Sequence, residues 1–418
     1  MGRMQGHPIN AAASDFHRVL AAESVSNFGS MLSRLAIPWL AALGLQATPA
    51  DMAALLLADV AAGAMGALWL GVYVDRHGKR AVMLCCDAGR CALLALLALA
   101  AWRGWLHFGG LLAAAACSGL LTVAFELARS SWTAQRVAVE DLPRRNAQLS
   151  VAASVSEAAA FALGGWIYQA LGAVLALVVD ALSYAASAWC LRGVREVPGH
   201  RDAPPPLGWR AWREEAQSGL RVVAGVPALR VLAGAEALGG AASALVGTSI
   251  MIYVSRDLAL PTGPLGMVFA LGALGSIIGA SLAPRLGRRW GAARTMTLGL
   301  ALLAIGLACA PLATGAGWGA LALLALQQII GDAGHSLQDV HDRTLRQTLV
   351  PADQLARADA GLRSIGQAAL LAGALAGGAI GTAYGARTVL WLAVVLVVLA
   401  VLWVGWRLPR VYVSPPST

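Results

Sequence analysis

Gly71-Val-Tyr-Val-Asp75-Arg76-His77-Gly78-Lys79-Arg80 decides how this chain is read. The stretch is polar, holds two glycines and lies between two long apolar runs. So many charges do not sit in hydrocarbon, which makes it a tight turn joining two membrane helices. Its cations flank a single aspartate, and an excess of Lys and Arg marks a cytoplasmic loop.

Composition points the same way. The chain has 418 residues, 58% apolar and only 13% charged, with a mean hydropathy of +0.66. A soluble protein carries roughly a quarter charged residues. At about 20 residues per span plus short connections, this length accommodates about twelve membrane helices. The net charge of +9 does not indicate nucleic acid, because the basic residues punctuate the apolar runs instead of forming one face. With twelve spans and the N-terminus inside, only Arg103, Arg256 and Arg387 of the 31 basic residues fall in outer loops. Both termini are therefore expected in the cytoplasm. The six cysteines lie in apolar segments with no C-x-x-C pair, so neither a zinc site nor a disulfide framework is expected. The first apolar run reads as a full span and not as a cleavable signal.

Spans are expected at about 18–45, 52–74, 80–101, 107–130, 148–170 and 173–192, then 229–254, 262–284, 294–313, 317–343, 360–383 and 386–407. Pro38 should kink the first. Residues 193–227 break the pattern with Arg201 and Pro204-Pro-Pro206. An amphipathic segment follows, with Trp209, Trp212, Leu220 and Val223 as its apolar side, expected on the inner membrane surface. The predicted organisation is an N-terminal six-helix bundle over 1–192, a cytoplasmic linker over 193–227 and a C-terminal six-helix bundle over 228–418.

The halves repeat. A shift of 213 residues brings Gly164-Gly165 onto Gly377-Gly378, Gly172-Ala173 onto Gly385-Ala386, Asn146-Ala147 onto Asp359-Ala360, and Gly78 onto Gly291. Duplicated six-helix halves build transporters whose cargo site lies near the midplane. In the second copy, Pro284-Arg-Leu-Gly287-Arg288-Arg289-Trp-Gly291, Arg288 stands opposite Asp75. Only the first copy keeps the acid.

The 71–80 loop resembles the G-x-x-x-D-R-x-G-R/K-R/K loop of the major facilitator superfamily, through Gly71, Asp75, Arg76, Gly78, Lys79 and Arg80. Asn27-Phe-Gly29-Ser30 with Arg34-Leu-Ala-Ile-Pro38-Trp39 is similar to the drug:proton antiporter branch that includes macrolide and enterobactin exporters. So are Asp180-Ala-Leu-Ser-Tyr184 and Thr344-Leu-Arg346-Gln347-Thr-Leu-Val-Pro351. The resemblance implies an all-α protein of twelve transmembrane helices in two six-helix pseudo-repeats, exporting cargo on the proton gradient with no cofactor. One departure is that the antiporter pattern G-x-x-x-G-P-x-x-G-G has Ala160-Phe161 in place of its Gly-Pro, with Gly164-Gly165 kept.

Ionisable groups inside a membrane cost about 2.5–3.5 kcal/mol on insertion scales and are mostly functional. Candidates for proton coupling or the cavity are Glu23, Asn27, Arg34, Glu157, Glu236 and Asp332. Glu23 or Glu157 is the expected proton carrier, with Arg34 as the cavity cation pairing with it or with an anionic cargo; structural ion pairing is the other reading. Asp87 with Arg90 and Glu126 with Arg129 are i,i+3 pairs that could join Asp75 in a cytoplasmic latch. Trp39, Phe125 and Phe161, with Trp132 and Trp166, could line a greasy cavity. Trp39, Trp102, Trp105 and Trp318 also suit the outer interface. Asp332, His335, Asp339 and Asp342 form a polar stripe, either a weak metal site or a hydrated helix end.

The expectation is a monomeric inner-membrane exporter of a drug or siderophore-like metabolite, in contact with small-molecule cargo and membrane lipid. Alternatives are metal-ion or metal-chelate export, and a lipid-handling protein on the same scaffold. No nucleophile–base or metal constellation of an enzyme is visible in the sequence.

Overall fold

The computed structural model describes residues 8–137, 141–197 and 209–412, and all regular structure among them is helical. Backbone polar groups in lipid have no water to bond, so each span satisfies its own. The first half runs α1 (Pro8–Trp39), α2 (Pro49–Arg76), α3 (Lys79–Trp102) and α4 (Phe108–Arg136). Helical structure over Leu142–Arg192 breaks at Gly172, where φ is 75° and ψ 175°, into α5 (142–171) and α6 (173–192). The linker helix is α7 (Trp209–Gly225). The second half runs α8 (Pro227–Ile252), α9 (Thr262–Trp290), α10 (Ala292–Leu312), α11 (Trp318–Leu349), α12 (Ala352–Tyr384) and α13 (Ala386–Val411). The expected spans 7 to 12 are thus α8 to α13.

Eight helical runs among the described residues are long and apolar enough to cross a membrane, the run over Val151–Arg192 being one of them. Neither α1 nor α11 is among them. α1 carries Glu23 and Arg34, α11 carries Asp332, His335 and Asp339, and α2, which is also outside that set, carries Asp59. Large apolar side chains face outward, such as those of Val151, Leu182, Ile277 and Leu402. That is the surface expected where lipid is the solvent.

Duplication is written in the backbone as well as in the letters. α1 ends in a π-helical turn at Leu40–Gly44 and α8 in another at Tyr253–Asp257, which is the same 213-residue offset. Gln46 and Ala259, again one offset apart, are the non-glycine residues with positive φ, at 54° and 50°. The next residue closes each turn in the same way. Ala47 N–H donates to the Ala41 carbonyl at 2.9 Å, and Leu260 N–H donates to the Val254 carbonyl at 3.1 Å. Gly172 and Gly385, at φ 75° and 85°, break the last helix pair of each half. Pro38, where a kink was expected, lies inside α1 two residues before the π turn.

The chain packs as two compact units, one of Met1–Leu40 with Leu57–Pro206 and one of Ala41–Leu56 with Leu207–Thr418. Residues 41–56 thus belong to the second unit, whereas the sequence assigned them to the first. Pro49 and Ala53 lie where a Cβ on Gly381 or Gly378 of α12 would fall. The first core gathers Phe16, Met83, Phe125, Trp132 and Leu191. The second gathers Leu229, Leu232, Met296, Leu362 and Val404. The linker segment is a helix, but it docks through Val223, which joins that core, and through Gly219, which lies against the backbone of Gly361. Leu220 remains exposed, so the expected apolar side is split. The side chains of Trp209 and Trp212, and residues 198–208 with Pro204-Pro-Pro206, lie outside the described residues.

Candidate functional site

A cavity of about 900 Å³ opens within the second unit, between α8, α10, α11, α12 and α13. Its walls follow from helical periodicity. Asp332, His335, Asp339, Asp342 and Arg346 recur on one face of α11, as Glu236, Gly239, Gly240 and Ser243 do on α8. The opposite side of α11 is clamped by backbone approach. Gly275 and Gly279 of α9 lie against Ile329 and Ala333, and Gly299 and Gly306 of α10 lie against Gly334 and Gly331. With bulk excluded there, the stripe lines the cavity, although Asp332 also lies against Gly272 of α9.

Five carboxylates line the cavity (Glu236, Asp332, Asp339, Asp342, Asp359) against three arginines (Arg343, Arg346, Arg363). Arg346 is the hub. Its guanidinium donates to Glu236 Oε1 at 2.6 Å, pairs with Asp342 and lies 3.6 Å from Asp359 Oδ1. One cation is therefore shared by three anions from three helices. Asp342 Oδ1 and Arg346 Nε are buried with no hydrogen-bond partner among the described residues. Arg343 pairs separately with Asp339 at 3.0 Å. Leu300, Leu303, Leu307, Leu370 and Val397 complete the lining, so the cavity is amphipathic.

The first unit holds its charges differently. Arg90 donates to Asp87 at 2.7 Å and stacks between the rings of Phe125 and Tyr184, at 4.7 and 4.4 Å. The other oxygen of Asp87 accepts the Ser187 hydroxyl at 2.6 Å. Close by, Asp180 accepts hydroxyls from Ser33 and Ser183, and Ser30 bonds Tyr184 at 2.7 Å. Glu23 pairs with Arg129 at 3.3 Å.

Helix α3 begins at the 71–80 loop. Glu196, which follows α6, accepts the backbone N–H groups of Arg80, Ala81 and Val197 at 2.9, 3.1 and 3.0 Å. It thereby caps the helix where the dipole favours an anion. Lys79 is fully buried, its ammonium donating to the carbonyls of Val74 at 2.5 Å and Asp75 at 3.1 Å. Arg80 reaches the carbonyls of Leu191 and Arg192 at 3.1 and 2.6 Å. Asp75 stays 61% exposed, 3.9 Å from Lys79. Gly71 and Arg76 occupy the end of α2.

Several expectations are corrected. Arg34 does not pair with Glu23; it is exposed, and its charged neighbour is Asp59 of α2. Arg129 turns to Glu23 across helices in place of Glu126, which is exposed. The Asp87–Arg90 pair exists but is buried in the unit and does not meet Asp75, so it is no surface latch. Trp39 is fully buried against Tyr168, at 5.1 Å, and Phe125 lies beneath Arg90, so both are core and neither is belt nor cavity wall. Trp132 is buried and donates to the Arg195 carbonyl. Phe161 and Asn27 are half-buried and Glu157 is exposed. Among the described residues no group of three His, Cys, Asp or Glu side chains could hold a metal ion, because Asp339 and Asp342 are taken by arginines. Trp102, Trp105 and Trp318 are exposed, as the interface reading requires.

Sequence reasoning gave no site role to Asp359, which it quoted only for the repeat and placed just before a span that in fact starts at Ala352, or to Arg363, inside the expected span 360–383. It also missed Glu196, which looked like ordinary linker charge. Asp180 was noticed for its motif and given no role. A carboxylate in mid-span followed by Ser183 and Tyr184 was the signal available.

Comparison with solved structures gives likenesses in fold. One is the nucleoside transporter NupG (TM-score 0.70, 12% identity, 94% of this chain and 99% of that one). Another is a bacterial homologue of the iron transporter ferroportin in an inward-facing state (0.73, 16%, 96% and 98%). A third is an auto-inhibited POT family peptide transporter (0.73, 14%, 97% and 98%). A comparison with curated protein sequences finds no match. The Major Facilitator Superfamily profile matches residues 19–336, and the chain belongs to that family of membrane transporters.

Proposed function

We propose that the protein is a proton-driven exporter of an amphipathic small molecule bearing positive charge. It works by alternating access in the inner membrane, as a monomer with both termini in the cytoplasm. The observation that carries this reading is the cavity of the second unit, with leucines on one wall and five carboxylates against three arginines on the others. The charge left over is negative, so a cationic cargo supplies what Arg346 alone does not. Such pockets hold a drug-sized molecule by apolar area and fix it with a few polar groups.

Antiport follows from competition. Protons and the cargo cation both neutralise Glu236 and Asp359, so loading one expels the other. Of the predicted coupling carboxylates, Glu236 and Asp332 line this cavity, and Glu236 is the one that shares Arg346 with two other acids; Glu23 is paired with Arg129. The drug:proton antiporter resemblance supports the same direction of transport. The metal alternative loses ground because Asp339 and Asp342 of the α11 stripe are already paired with arginines.

The test is uptake of ethidium into everted membrane vesicles under an imposed pH gradient. Wild type should accumulate the dye and Glu236→Gln should not. Accumulation by wild type that survives collapse of the gradient, or no accumulation despite folded protein, would sink the reading.

A further inference from the structure

Asp87 and Asp180 are both fully buried in the first unit, yet they are held by different chemistry. Asp87 faces a guanidinium at 2.7 Å, and arginine does not give up its proton, so this carboxylate is committed to the anion. Asp180 has no ion-pair partner within 4 Å among the described residues. Its oxygens meet the hydroxyls of Ser33 from α1 and Ser183 from its own helix. A hydroxyl donates to a carboxylate and, turned about its C–O bond, accepts from a carboxylic acid. The shell of Asp180 can therefore satisfy either protonation state without moving a helix, whereas a shell of N–H donors would satisfy only one.

We propose that Asp180 is a proton-binding site of the first unit, whose occupancy is read at the contact between α1 and α6. The groups bearing on it are few. From α3, Arg90 is its charged neighbour, already paired to Asp87 and stacked between Phe125 and Tyr184. From α1 there are the hydroxyls of Ser33 and of Ser30, which bonds Tyr184. The charges of α1 itself are engaged elsewhere, Asp15 with Arg195, Arg18 with the Gly193 carbonyl, Glu23 with Arg129 and Arg34 beside Asp59. Gly29 brings the helices close, since a Cβ there would fall on the side chains of Asp180 and Ser183. When Asp180 takes up a proton, one of its two hydroxyl partners turns from donor to acceptor, and where that is Ser33 the bond holding α1 to α6 reverses its direction and loses its charge. None of its residues lines the cargo cavity, and it does not depend on the export reading.

Infrared difference spectroscopy of the purified full-length protein, titrated with acid, tests this without any cargo. Wild type should show a carboxylic C=O band that grows as the pH falls. The band should be missing in Asp180→Asn and persist in Asp87→Asn. Ser33→Ala, which removes one hydroxyl, should shift it to higher frequency. If Asp180→Asn does not fold, the Ser33→Ala shift decides alone. A titrating band unaltered in Asp180→Asn, no shift in Ser33→Ala, or no band in wild type would overturn the assignment. A normal band in a protein that fails the ethidium assay would sink the export reading and leave this site standing.

Discussion

The two units are duplicates in backbone and opposites in how they keep charge. In the first, the buried acids are held singly: Asp15 has Arg195, Glu23 has Arg129, Asp87 has Arg90 and Ser187, and Asp180 has two serines. In the second, three acids share Arg346 at the edge of a cavity. An acid with an arginine of its own is balanced in charge, even where one of its oxygens lacks a hydrogen bond, as in Asp15 and Glu23. A shared cation leaves charge unmatched, and unmatched charge beside an open volume is what a ligand can complete. Duplication therefore supplied a frame, and side-chain divergence made one copy closed and the other receptive.

Removing the cation from each unit tests this most forcefully. Arg90→Ala strands Asp87 in a site without water and should cost about 3–5 kcal/mol, the usual penalty for breaking a buried pair. Arg346→Ala leaves its acids facing a cavity that admits water, so about 1–3 kcal/mol is expected. Thermal unfolding in detergent reads both, and equal losses would erase the contrast. Adding Asp87→Asn to Arg90→Ala should recover part of the larger loss.

The cytoplasmic turns offer a finer comparison. Gly78 has φ −61°, which any residue adopts, but a Cβ there would fall 2.7 Å from the Glu196 carboxyl carbon. Its counterpart Gly291 has φ 79°, a conformation that penalises side chains. Glu196→Ala should cost about 1–2 kcal/mol, the size of a lost helix cap. Gly291→Ala should cost about 1 kcal/mol through the backbone alone. Gly78→Ala should destabilise the wild type but become nearly silent in a Glu196→Ala background, whereas Gly291→Ala should not notice that background. The same unfolding assay on single and double variants checks this.

Much of the frame was legible. Apolar runs and the 213-residue offset located the helices and the duplication because lipid forces backbone bonds to be local. The π turns and the positive φ at Gln46 and Ala259 were not legible, since Leu45 and Leu258 are the one letter the two turns share. Partners across helices were harder still. Arg129 sits three residues from Glu126 and that spacing favoured the pair, yet its ion-pair partner is Glu23 at 3.3 Å. Spacing along one helix says which side chains are neighbours, but not which helix each one turns to. Glu236 and Asp332 were visible as costly charges in apolar runs. Their meaning required α8, α11 and α12 side by side, because a cavity belongs to several helices and to no single stretch.

The central claim, that the second unit binds a lipophilic cation through unmatched carboxylates, is tested most directly by equilibrium binding of radiolabelled tetraphenylphosphonium to purified protein. Wild type should bind, protons should compete with the ligand, and Glu236→Gln with Asp359→Asn should abolish binding while the fold melts as a single transition. Undiminished binding by the folded double variant, or equal affinity for an uncharged analogue, would contradict the account.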